Sequence, residues 1–373
     1  MSKVCSIALA AMMFVATGWA ATSPVEVLYV AETQATNVSL TTYNVNPDTA
    51  AAEQIGSPIT VGAANVDPLT VNGNNFIYVW NSTDVWIYTT NAQGLPESEA
   101  SQHLTFNFPH PVKSFLVDPD GKFAYAGMIW AGPDLNNEAA LILFTIDSAT
   151  GNLTNTEQAV AKYSNDYTGI VGFMFGTSGK RLYASYFDNA PYTCNPGYYA
   201  YNVNGSTGQF GPEENLVEVS ANCGGTAAVA VSDTSTAGDS SCCRQGSGAL
   251  GITQTATNRV IYCQAYEVPF CGDDAAFLKF DPTGQNIFFA DSDNQIIYIG
   301  HLDFGDLQLE ESGTGILGTP PIYFSPDGRL VYTLHSNENN VGIQTFDPAT
   351  GVLSDYNTLS DAGNVSIATA TLQ

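Results

Sequence analysis

Four copies of one short pattern punctuate the chain: FLVDPDGKFAYAG at 115–127, FMFGTSGKRLYAS at 173–185, FLKFDPTGQNIFFAD at 277–291 and YFSPDGRLVYTL at 323–334. In each, an apolar run enters a turn of Gly with Pro, Asp, Thr or Ser, and a second run rich in Phe, Tyr, Val and Leu leaves it. That is how a β-hairpin is written. From Gly121 to Gly179, Gly284 and Gly328 the intervals are 58, 105 and 44 residues, so the middle one hides a divergent copy. Multi-strand units recurring every 40 to 50 residues, roughly, predict an all-β fold, a seven-bladed β-propeller.

Walking the chain by unit gives the blades. The first lacks an inner strand: 26–31 reads as its second strand and 38–45 as its third. The missing strand is expected from the C-terminal run VSIATATL at 365–372, which has no partner of its own, and that exchange would close the ring. Blades two, three, four, six and seven are placed at about 66–105, 112–160, 169–219, 276–311 and 320–359. Third strands end in a second turn signal, as in FTIDSATGNLT and QTFDPATGVL. The fifth blade is harder. Three runs, TAAVAVS, GALGITQT and NRVIYCQAY, flank a Ser/Gly/Cys-rich insertion at 232–248, while GITQTATNRVIYCQ also aligns with the inner hairpin GFMFGTSGKRLYAS. If that alignment holds, the first run is an extra strand and the outer strands are truncated; on either reading one distorted blade is expected there.

Residues 1–20 carry Lys3, an apolar run and Gly18-Trp19-Ala20, the layout of a signal peptide cleaved after Ala20. The expectation is an extracytoplasmic chain, periplasmic or secreted, with 21–373 as one propeller domain. No later stretch is long and apolar enough to span a bilayer. Six cysteines follow Cys5, namely Cys194, Cys223, Cys242, Cys243, Cys263 and Cys271, and in an exported protein they read as disulfides. Cys194 is expected to pair with Cys223, and Cys263 or Cys271 with Cys242 or Cys243. The formal charge of -26 argues against nucleic acid or an anionic lipid surface as a partner. The oxygen-rich loops Asp291-Ser-Asp293-Asn294 and Asp303-Phe-Gly-Asp306 complete no EF-hand, so no cofactor is expected, with calcium the one candidate.

Strand pairs written PDGKxxY, third strands ending in D-x-x-T-G-x-L and a chain-end strand that completes the first blade resemble the lactonase-type seven-bladed propellers. These include 6-phosphogluconolactonase-like proteins and carboxymuconate cyclases, and they shade into YVTN-repeat surface propellers. The resemblance covers nearly all of the mature chain. It implies a channel-facing His a few residues before the PDG turn of one inner strand and an Arg-His pair before another. Here Lys113 takes the first place, with His110 three residues earlier, and Pro320-Pro321 take the second. Where the family often has Asn-Arg after a second strand, this chain has His335-Ser336, and Asp291 is the retained acid.

The candidate binding face is therefore His110, Lys113, Trp130, Asp291, His335 and Glu338, with no catalytic residue and no metal site assigned. His103, His110, His301 and His335 are too scattered to form a metal triad, and Trp80 and Trp86 read as packing between blades. With the family's cationic set replaced, the sequence favours a monomeric, non-catalytic scaffold for a small molecule, glycan or protein, without lactone hydrolysis. The alternative is a lactone hydrolase of the 6-phosphogluconolactonase-like family.

Overall fold

The computed structural model describes residues 25–33, 37–62, 70–72, 76–131, 137–164, 168–176, 179–188, 195–216, 226–231, 235–240, 248–254, 259–266, 277–291, 296–303, 306–310, 319–335, 340–359 and 364–372. Their strands form seven four-stranded antiparallel sheets. The first holds β1 (Val25–Thr33), β2 (Val38–Val45) and β3 (Ala52–Val61), and the second β4 (Thr70–Asn72), β5 (Phe76–Trp80), β6 (Asp84–Thr89) and β7 (Gln102–Thr105). The third holds β8 (Val112–Val117), β9 (Phe123–Ala131), β10 (Asn137–Ile146) and β11 (Leu153–Ser164), and the fourth β12 (Thr168–Phe175), β13 (Arg181–Asp188), β14 (Asn195–Val203) and β15 (Phe210–Leu216). The fifth is β16 (Thr226–Val231), β17 (Ser235–Ser240), β18 (Gly248–Gln254) and β19 (Arg259–Tyr266). β20 (Phe277–Phe280), β21 (Asn286–Asp291), β22 (Ile296–Asp303) and β23 (Asp306–Glu310) make the sixth, and β24 (Thr319–Phe324), β25 (Leu330–His335), β26 (Asn340–Asp347) and β27 (Val352–Leu359) the seventh. The last strand, β28 (Asn364–Leu372), pairs with β1 from Val25 opposite Leu372 to Thr33 opposite Asn364, as the fourth strand of the first sheet.

The architecture is an all-β propeller. First strands of neighbouring sheets touch one another: β4 meets β8 and β28, β8 meets β12, β20 meets β16 and β24, and β24 meets β28. The apolar core is divided among the seams between sheets. One cluster joins Tyr78 and Ile87 of the second sheet to Phe115 and Phe144 of the third, and another joins Leu141 to Leu182 of the fourth. Tyr332 and Ile343 of the seventh sheet pack with Leu28 of the first and Ile367 of β28. Trp80 and Trp86 are both buried in such seams, as the sequence implied.

The repeated turns work by side-chain capture of backbone N–H groups. Asp118 Oδ1 accepts from the Lys122 and Phe123 amides at 2.7 and 2.6 Å, and Asp281 Oδ1 from the Asn286 amide at 2.8 Å. In the seventh sheet Ser325 Oγ takes the Leu330 amide at 2.9 Å. The second turn type, D-x-x-T-G, uses Asp147 to hold the Ala149 and Thr150 amides, and its glycine, Gly151, lies at φ 71°.

That glycine is the joint between sheets. Tyr78 Oη donates to the Gly151 carbonyl of the next sheet at 3.1 Å, Tyr29 to Gly94 at 2.8 Å and Tyr125 to Gly208 at 2.9 Å. A Cβ on Gly151 would fall 2.5 Å from the Phe76 ring, and one on Gly208 2.6 Å from Phe123. Where the seventh sheet meets the first, Ala50 occupies the glycine place at φ 56°, fully buried.

The fifth sheet corrects the sequence reading. The segment 232–248 contains its second strand, β17, so GALGITQ is the third strand and RVIYCQAY the fourth. The alignment of GITQTATNRVIYCQ with an inner hairpin is therefore wrong, and the outer strands are not truncated. STAGDS carries small, polar residues of poor strand propensity, and tertiary pairing overrides that preference. Cys194, Cys223, Cys242, Cys243 and Cys271, like residues 1–20, lie outside the described residues. Cys263 is on β19, its backbone opposite Gly251.

Substitution at the joints should be asymmetric. Gly151→Ala is expected to lose about 2 kcal/mol or more, because the methyl meets a ring that cannot retreat. Ala50→Gly should change stability by less than about 0.5 kcal/mol, since relief of left-handed strain offsets the lost methyl burial and the entropy of glycine. Tyr78→Phe should cost about 1 kcal/mol. Urea unfolding of the three variants checks all of this, and a Gly151→Ala protein as stable as wild type would refute the joint.

Candidate functional site

Each sheet is an up-and-down meander, so its first-to-second and third-to-fourth turns share one end. Its second-to-third connection and the incoming link from the previous sheet share the other end. Turns of neighbouring sheets meet: a Cβ on Gly179 would run into Pro119, and one on Gly328 would lie in ordinary contact with Pro282 at 3.4 Å. The residues picked from sequence lie at the opposite end. Trp130 is near the end of β9, Asp291 ends β21 and His335 ends β25. Their side chains, and all of Glu338, lie outside the described residues.

His110 and Lys113 can be followed further. The link into β8 is pinned to the second sheet: the Phe106 amide donates to Thr83 O at 2.6 Å and the Val112 amide to Ser82 O at 2.9 Å. His110 is half-buried in that link. Lys113 stands exposed at the head of β8, where the register with β9 slips between Val112 and Ser114. A bulge of this kind turns a side chain away from the regular pleat. Comparable slips occur at the start of β12, between Ile170 and Gly172, and of β24, between Thr319 and Ile322 where Pro320 and Pro321 sit.

The other histidines are held separately. His103 stacks on Trp86 with centroids 4.8 Å apart, and its Nε2 is 3.0 Å from Asp84 Oδ1. Burial pulls the Asp84 carboxyl up, but hydrogen bonds from Thr83, Thr105 and His103 outweigh it and hold it below the usual carboxylate range. His301 Nδ1 lies 2.8 Å from Asn286 Oδ1. The Asn286 amide nitrogen already donates to Pro348 O at 2.8 Å, so Nδ1 carries the proton. Among the described residues no three His, Cys, Asp or Glu side chains gather as a metal site.

Sequence reasoning missed Lys279. It lies on the first strand of the sixth sheet, two residues before Asp281, where β8 has Leu116 packed into an apolar seam. Its ammonium crosses to the next sheet and donates to Ile322 O of β24 at 2.9 Å, standing 5.2 Å from the centre of the Tyr323 ring and 5.9 Å from that of Phe324. Two residues along the same edge, Phe324 O accepts from Thr369 Oγ1 of β28 at 2.8 Å. The carbonyls of Ile322 and Phe324 thus face away from β25, since they accept from side chains of neighbouring sheets and alternate carbonyls of a strand share one side. Lys279 is half-buried by surface area, but its ammonium sits deep in protein. Burial lowers its pKa to about 8. The one sequence signal was a lysine at an apolar place in a chain with ten basic residues.

No protein-family model matches the chain, and no curated protein matches it. Solved structures do. The periplasmic gluconolactonase of Pseudomonas aeruginosa aligns with 94% of this chain and 100% of its own at 14% identity and a TM-score of 0.59. A putative 6-phosphogluconolactonase from Bacteroides fragilis aligns with 93% and 98% at 13% identity and 0.61, and a protein from Lactobacillus plantarum with 93% and 99% at 13% and 0.62. At these identities the likeness establishes the propeller fold.

Lys279→Met should stabilise the protein by about 2 kcal/mol at pH 7, because the buried charge is then absent. The folded pKa lies below the unfolded one, so the cost of Lys279 is full below about pH 8 and fades as the pH climbs toward 10.5. Tyr323, pushed up to about 12 by burial, stays neutral through that window. Urea titrations of both proteins at pH 7 and 10 check this; an advantage of Met that stays constant with pH would refute the buried charge.

Proposed function

We propose that the chain is an exported lactone hydrolase, built as a closed seven-bladed ring and acting at the face that carries the second-to-third connections. The observation that carries this reading is the exposed ammonium of Lys113, on a bulge at the head of an innermost strand. The full-length likeness to proteins named for gluconolactone hydrolysis gives it a substrate class, and the periplasmic location of one of them agrees with export of this chain. It takes the place of the non-catalytic scaffold that the sequence favoured, for which no structural observation speaks.

The chemistry is small. Water adds to the lactone carbonyl carbon, the carbonyl oxygen takes up negative charge, and the ring C–O bond breaks to give a hydroxy acid. The Lys113 ammonium would stabilise the oxyanion, while His110 or Asp291 would accept the proton of the water and return it to the leaving ring oxygen.

The purified mature protein should hydrolyse δ-gluconolactone faster than the uncatalysed rate in a non-nucleophilic buffer. Lys113→Ala should lower kcat/KM by about 100-fold with no change in unfolding midpoint. Asp291→Ala tests the second group in the same assay. A rate equal to buffer alone for both δ-gluconolactone and its 6-phosphate would sink the hydrolase reading.

A further inference from the structure

We propose that Lys279 is the cationic anchor of a small-oxyanion site in the central channel, one that receives a carboxylate or phosphate group between β20 and β24. The inference goes beyond lactone hydrolysis, because Lys279 lies at the turn end of its strand and Lys113 at the other end of its own.

An ammonium has three N–H donors. Among the described residues, Lys279 uses one, on Ile322 O, and no carboxylate contacts it. This is unusual in a chain with 36 acidic residues. A buried lysine kept for structure has its charge answered by an acid. Here the surroundings are the faces of Tyr323 and Phe324 and a backbone carbonyl, which hold a cation in place without neutralising it. The matching register position of the third sheet is filled by Leu116 and that of the seventh by Tyr323, so packing does not require a charge. Position supplies access: β20 and β24 are first strands, each paired with its own sheet on one side only, and the Ile322 carbonyl lies on the unpaired side. An oxyanion entering the channel would complete the donor set of Lys279 with a charge-assisted hydrogen bond.

The test uses the purified mature protein with sodium phosphate and sodium acetate as probes, each against sodium chloride at matched ionic strength. Wild type is expected to show a saturable rise of a few degrees in unfolding midpoint with at least one oxyanion, Lys279→Arg to keep it and Lys279→Met to lose it. In lysine-15Nζ-labelled wild type, the Lys279 resonance should move with the same saturation curve, a readout that needs no variant to fold. Phosphate without acetate would identify a phosphate site, and acetate without phosphate a carboxylate site. Equal responses from wild type and Lys279→Met, or a Lys279 resonance unmoved by both anions, would overturn the proposal.

Discussion

A four-stranded sheet this small has no interior of its own, so everything in the molecule depends on how one sheet seats against the next. The seat is a glycine in the left-handed region whose missing side chain lets an aromatic ring lie on the turn, and whose carbonyl takes a tyrosine hydroxyl from the neighbour. Gly151 with Phe76 and Tyr78, and Gly208 with Phe123 and Tyr125, show the joint complete. One residue thus serves as turn former, spacer and acceptor, which is why D-x-x-T-G recurs in the sequence while the strands around it vary.

The seams are not equivalent, and the exceptions cluster. Between the sixth and seventh sheets Phe288 replaces the tyrosine, and Asn286 stands where Phe76 and Phe123 stand elsewhere, reaching Asp281, His301 and Pro348 O instead of covering the turn with a ring. Lys279 crosses the same seam nearer the axis. Between the seventh sheet and the first, Ala50 strains the turn and the Tyr332 hydroxyl finds no acceptor among the described residues. The first of these two joints trades apolar packing for polar groups, while the second keeps an apolar cluster of Ala50, Leu330 and Tyr332 around a strained turn.

Much of this was legible in the sequence. The hairpins at 115–127 and 323–334, and the end strand at 365–372, are spelled in residues whose turn and strand chemistry is local, and they fold where they were read. The fifth sheet was misread because STAGDS has neither branched nor aromatic residues to announce a strand; only its partners on either side make it one. Lys279 was invisible for the opposite reason. In a first strand, alternation marks a lysine as solvent-facing, and only the crossing to β24 reveals that its head rests on the neighbouring strand. The candidate face was chosen by position within the repeat, and topology does gather Trp130, Asp291 and His335 at the same end of their sheets as Lys113.

The pairing of β28 with β1 also governs the order in which the molecule can be finished. Residue 25 finds its partner at residue 372, so the first sheet emerges as a three-stranded piece with an open edge and stays so until residues 364–372 have been made. Six sheets can form in the order of their synthesis; the seam on either side of β1 cannot be sealed until the end. Until then β1 presents an unpaired edge, which keeps the first sheet pliable while the other sheets are made.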